Sequence, residues 1–153
     1  MNSSGSGGTM AQLDEYVEQL RQKLPVAPPG LMDAYVKWAP WLAIVFGGLG
    51  FLFSLLGLLA STVLGPLMVV FGGAEGVSAG AALFIAVGFA LVGSALDVAG
   101  GYLMLKRQAT GWWLLAVALV VGILSNVIHL NIVGLVISLA VGYVHVHVRP
   151  RYI

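Results

Sequence analysis

The chain has no cysteine and very little charge: 8% of its 153 residues are Asp, Glu, Lys or Arg. The missing cysteine excludes disulfides, thiolate metal sites and thiol chemistry. The missing charge says more. A water-soluble domain carries about 25% charged residues. This chain is 59% hydrophobic with a mean hydropathy of +0.99, so it cannot cover itself with a water-compatible surface. Its surplus apolar surface must face lipid. The seven Lys and Arg are scattered over the ends and one turn, which makes no basic stripe and excludes nucleic acid as a partner. The N-terminus is polar and acidic, not a basic stretch before a short apolar core, so no secretory signal is read there.

What remains is apolar chain in long runs. A span needs roughly 20 apolar residues, and the sequence holds enough for an all-α bundle of four transmembrane helices with a modest head. Residues 1–10, with MNSSGSGGT, read as a disordered Gly/Ser tail. Residues 11–39 read as a lead-in. There Leu13, Val17, Leu20 and Leu24 recur at helical steps, while Asp14, Glu15, Glu18, Arg21 and Lys23 take the other positions. This predicts a short amphipathic helix on the membrane surface or on the bundle's end, stopped by Pro25, Pro28, Pro29 and Gly30.

Residues 40–153 form the membrane domain, with spans predicted at about 41–64, 81–105, 112–127 and 132–148. In the first span Gly47, Gly50, Ser54 and Gly57 align on one face, and in the fourth Gly134, Ser138 and Gly142 are spaced by four. Such small-residue ridges let helices approach closely in lipid. The fourth span is rich in β-branched residues, but a lone strand would leave its backbone unsatisfied in lipid, so a helix is predicted. Gly65 to Gly80 is predicted to be a connecting loop. Its Gly-x-Ser-x-Gly character suggests a nucleophile elbow or phosphate cradle, yet no Gly-Lys-Ser/Thr follows and no His/Asp pair is placed to activate Ser78.

Orientation follows from the charges. Lys106 and Arg107 form a basic turn running into Trp112 and Trp113, and Arg149 and Arg151 follow the last span. With that turn in the cytoplasm, alternation brings both termini to the same side, and every Lys and Arg lies inside. The tryptophans then act as anchors at headgroup depth.

Asp97 is the one acid inside a predicted span. An acid there costs about 2.5 to 3.5 kcal/mol on the insertion scale, so it is expected to face the bundle and find a partner. Tyr143 and His145 on the fourth span are the candidates by depth, with Ser54 and Ser138 behind them. Asp97 therefore serves either as an ion or proton site or as a lock between helices. His145 and His147 are two residues apart, roughly 200° around a helix, and cannot share one metal ion. His147 is expected near the headgroups and His129 in a polar turn with Asn126 and Asn131. No metal, cofactor or enzymatic activity is expected, because no catalytic constellation is present.

The lead-in Leu24-Pro25-Val26-Ala27-Pro28-Pro29 supplies one further pattern. The others are the turn into Gly111-Trp112-Trp113-Leu114-Leu115, the Asn131-Ile132-Val133-Gly134 start and the Val148-Arg149-Pro150-Arg151-Tyr152 ending. Over roughly Gln12 to Tyr152 the chain resembles a group of small, uncharacterised bacterial four-helix integral membrane proteins. That resemblance implies the same fold and carries over no activity; the location expected for the chain is the bacterial inner membrane. Small multidrug transporters resemble it less, since their working acid lies in the first span. The expectation is an accessory, scaffolding or assembly component acting through helix–helix contacts in the lipid bilayer, as a homo-oligomer or within a larger membrane complex. The alternative is a small dimeric proton- or cation-coupled transporter built around Asp97.

Overall fold

The computed structural model describes residues 6–128 and 130–153, and among these the chain is helical with no strand. The helices are α1 (Ser6–Lys23), α2 (Pro29–Leu105), α3 (Ala109–Ile128) and α4 (Ile132–Val148), followed by a 3₁₀ turn at Arg149–Arg151. Three stretches are long and apolar enough to cross a membrane: Pro29–Leu105, Ala109–Val127 and Ile132–Arg151.

The first of these doubles back. Gly73 leaves the helical region at φ 56° and ψ −134°, a conformation that only glycine adopts without steric cost. The chain beyond it returns antiparallel. Gly47 meets Asp97, Gly50 meets Ser94, Gly57 meets Val87 and Gly65 meets Phe84. As one partner advances the other retreats by a similar number of residues, which is the register of a helical hairpin. α2 is therefore two arms, 29–72 and 74–105, and the chain makes four apolar passes.

The loop expected over Gly65 to Gly80 is thus helical on both sides of a turn at Gly73. Pro66 and the glycines around it do not interrupt the helix, and only Gly73 leaves the helical region.

Each following turn is closed by backbone geometry. Arg107 takes a left-handed conformation at φ 60°. Its N–H donates to the Met104 carbonyl at 2.9 Å, and that of Gln108 to Leu103 at 3.1 Å. This pair of bonds satisfies the last carbonyls of α2, in a position that glycine usually fills. Leu130, at φ 51°, repeats the device after α3, with the Asn131 N–H donating to Asn126 at 2.8 Å. The Asn131 side chain then caps α4 by accepting from the Gly134 N–H at 3.0 Å. Asn126 also donates to the Ser138 hydroxyl at 3.1 Å, tying α3 to α4. His129 lies outside the described residues.

The buried core is confined to the basic end. It comprises Val36, Met104, Trp112, Leu115, Val144, Val148 and Tyr152, drawn from α2, α3, α4 and the segment after it. Away from that end large apolar side chains face outward, as Phe53 (68% exposed) and Phe89 (70%) do. Such a surface is compatible with lipid and not with water.

α1 starts at Ser6, so it takes in the last residues of the stretch read as a tail; residues 1–5 lie outside the described ones. Its contact face differs from the expected apolar stripe. Val17 packs against the core, whereas Leu13 (40%) and Leu20 (49%) stay exposed. Ionic contacts add to the docking: Asp14 meets Arg149 at 2.7 Å, and Asp33 at the start of α2 meets Arg151 at 2.5 Å. Each pair is partly exposed and contributes at most about 1 kcal/mol.

Candidate functional site

The sequence singled out Asp97, Tyr143 and His145 as one possible site. The structure sends them to three different neighbours. His145 is 2% exposed and both ring nitrogens are used. The Tyr35 hydroxyl lies 2.8 Å from Nδ1, and Nε2 lies 3.1 Å from the Trp112 carbonyl oxygen. A carbonyl only accepts, so Nε2 carries the proton, and Nδ1 accepts from Tyr35.

Trp112 returns the bond: its indole N–H donates to the His145 carbonyl at 2.8 Å. The two rings stack at 4.6 Å with planes 9° apart. That carbonyl belongs to the last turn of α4, whose four terminal carbonyls have no intrahelical donor. Trp112 therefore caps α4 from the side. An imidazole held at both nitrogens and stacked on an indole has no lone pair for a substrate or a metal. Its work is to join α2, α3 and α4.

His147 faces elsewhere. Its Nδ1 lies 2.8 Å from the Tyr143 carbonyl oxygen one turn back, and its ring tilts against the Tyr143 ring at 4.7 Å. The Tyr143 hydroxyl donates to the Pro25 carbonyl at 2.8 Å, fastening the lead-in to α4. His147 is 6% exposed. Its Nε2 and the Tyr152 hydroxyl are buried without a hydrogen-bond partner among the described residues. Burial pushes the Tyr152 phenol up from its ordinary pKa. The segment carrying Tyr152 is clamped to the basic turn: Ile153 N–H donates to the Arg107 carbonyl at 3.0 Å, and Ala109 N–H donates to the Ile153 oxygen at 2.9 Å.

Asp97 lies apart from this cluster. It sits on the returning arm of α2 opposite Gly47, which is twelve residues, about 18 Å, farther along the first arm than Tyr35. Half-buried, it has no hydrogen bond or ion pair among the described residues. Tyr143 and His145 are committed elsewhere, and Ser54 is buried about two turns farther into the hairpin than Gly47.

The other small residues form interhelical contacts of two kinds. Gly47, Gly50 and Gly57 of the first arm face the returning arm, while Gly134 and Gly142 of α4 face Asn126 and Leu119 of α3. Lys106 and Arg107 are exposed, with the Lys106 ammonium 4.3 Å above the Tyr102 ring and the Arg107 guanidinium 5.9 Å from that of Tyr152. Trp113 packs edge-on against Trp112 at 4.8 Å. Among the described residues no three His, Cys, Asp or Glu side chains come together in a way that would hold a metal.

The aromatic and histidine knot was the part least visible in sequence. The usable signal was His145 at the same depth as Trp112. Nothing in the periodicity paired Tyr35 with either of them. No family model matches the chain, and comparison with curated proteins and with solved structures finds no match either.

Proposed function

We propose that this is a multi-pass protein of a bacterial inner membrane, with both termini cytoplasmic, that acts as an accessory, scaffolding or assembly component through helix–helix contacts. The observation that carries this reading is a mismatch of lengths. The shorter arm of the α2 hairpin, 74–105, is roughly 48 Å long at 1.5 Å per residue. α3 and α4, with 20 and 17 residues, reach only about 30 and 26 Å. The hairpin therefore outruns the helices packed on it, and its distal part presents apolar faces that the described residues leave uncovered, Leu59 among them at 66% exposure. The cytoplasmic assignment draws on the Lys and Arg residues, all of which belong to the basic end.

The missing cysteine makes the test clean. Leu59→Cys, oxidised mildly in native membranes, is expected to give a disulfide-linked dimer or a crosslinked species of one discrete mass. A chain that stays monomeric there and in mild detergent would sink the proposal.

A second reading is favoured by one observation, the acid at Asp97 with no hydrogen bond or ion pair among the described residues. It is a dimeric proton- or cation-coupled transporter. On that reading Asp97→Asn, which keeps size and hydrogen bonding, abolishes a pH-driven flux in proteoliposomes with the oligomeric state unchanged. Absence of flux in the parent removes this reading and leaves the first.

A further inference from the structure

An open groove of about 800 Å³ runs between the two arms of α2 on the face away from α3. Val45, Gly48, Leu52, Ala95 and Ala99 line it, and Tyr102 is the lining residue nearest Lys106 in the chain. The lining mixes small and branched apolar residues with hardly a polar atom, a surface suited to an apolar chain. The Lys106 ammonium stands over the Tyr102 ring at 4.3 Å and forms no ion pair among the described residues. The groove thus joins a nearly pure hydrocarbon surface to one unneutralised cation at its mouth.

Length fits the same occupant. From Lys106 down to Ala95 is about 16 Å at 1.5 Å per residue. One leaflet of a roughly 30 Å hydrocarbon core is about 15 Å deep. Trp41, one helical turn above Val45 and 54% exposed, sits at the height where an amphipathic ring meets headgroups. The geometry points to this groove as the seat of one acyl chain of an anionic phospholipid in the leaflet at the basic end, with its phosphate held by Lys106. The inference rests on the membrane reading given above. Charge complementarity selects the lipid: Lys106 has no acid beside it, and a phosphodiester supplies the missing charge while its tail fills the groove. Cytoplasmic leaflets are rich in such lipids.

The full chain in mild detergent, titrated with phosphatidylglycerol or phosphatidylcholine and read by native mass spectrometry, tests this. The parent is expected to hold phosphatidylglycerol about fivefold more tightly, the worth of one lysine at an anionic surface. Lys106→Gln should bring the two lipids level and Lys106→Arg should keep them apart. Ala99→Leu, which fills the groove, should weaken both lipids with helix content by circular dichroism unchanged. Equal binding in the parent, or an unchanged ratio in Lys106→Gln, overturns the inference. So does inorganic phosphate that binds as well as the lipid, which marks a free-anion site. Efficient disulfide formation between copies of Val45→Cys also overturns it, because a second copy then covers the groove. Alkaline carbonate washing separates the two levels of failure. A chain released from membranes fails the membrane reading, while a retained chain without lipid preference fails only this inference.

Discussion

Trp112→Ala is expected to lower stability by about 3 to 5 kcal/mol, the range for truncating a buried aromatic side chain. Trp112 is 1% exposed and belongs to the one well-buried core. Its packing contribution persists at the membrane, because van der Waals contact does not depend on water as the alternative environment. Its removal also strands the His145 carbonyl, which loses its 2.8 Å donor. The Arg149 N–H cannot replace it, because that group donates to Val146.

Trp112→Phe separates the two effects. It keeps a six-membered ring beside His145 but loses the N–H and part of the indole's volume, so it should cost less than Trp112→Ala yet at least about 1 to 3 kcal/mol, the penalty for one orphaned buried acceptor. Trp113→Ala should cost less than Trp112→Ala, since Trp113 lies at the edge of the core. Unfolding in mixed detergent micelles, followed by far-ultraviolet circular dichroism, ranks the three. Equal losses for the two alanine variants would mean that Trp112 does not cap α4.

The same residues show what was legible beforehand. Helical content and the apolar passes follow from composition alone, because a chain with so little charge has no surface to show to water and no spanning option but helices. The ends of α4 were readable too, since Asn131 is a capping residue and Arg149-Pro150 a stop. The reach of α2 was not. Gly65, Pro66, Gly72, Gly73, Gly76 and Gly80 all carry the same turn signal in sequence, and nothing local sets the one that turns apart from the five that stay helical. Only at Gly73 does the chain adopt a conformation that needs glycine.

The pairing of His145 was hidden for a different reason. It depends on Tyr35, 110 residues away, and on a lead-in held by Val17, by Pro25 and by the ion pairs of Asp14 and Asp33, contacts that the apolar stripe alone does not reveal. Helical periodicity indicates which face of a segment is buried. It does not say which of several faces will meet. Asp97 illustrates the gap: depth suggested Tyr143 and His145, while the hairpin register supplies Gly47, a residue with no side chain to answer it.

That register makes the glycines of α2 unequal, which yields the other large expected effect. Gly101→Ala should destabilise the hairpin by about 1 to 3 kcal/mol, the cost of overpacking a fitted contact. Its new methyl would stand 2.6 Å from the Pro40 carbonyl oxygen and 3.1 Å from the Ala43 methyl. Backbone cannot step aside, so the arms must separate. Gly47→Ala should behave alike, with the Asp97 Cβ at 2.8 Å and backbone atoms of Ser94 and Val98 at 3.0 Å. Gly50→Ala meets only the Ser94 hydroxyl at 2.6 Å, and a rotamer change there relieves the clash, so the variant should stay near the parent. Gly88 and Gly93 have open space where a methyl would go. Alanine at either position should be neutral or add up to about 1 kcal/mol through helix propensity. The order of the five variants in the same micelle titration is the measurement. If Gly101→Ala and Gly93→Ala fall together, the two arms do not meet in this register. The turn at Gly73, the neighbour of Asp97 and the groove beside Lys106 would then all have to be redrawn, because each depends on it.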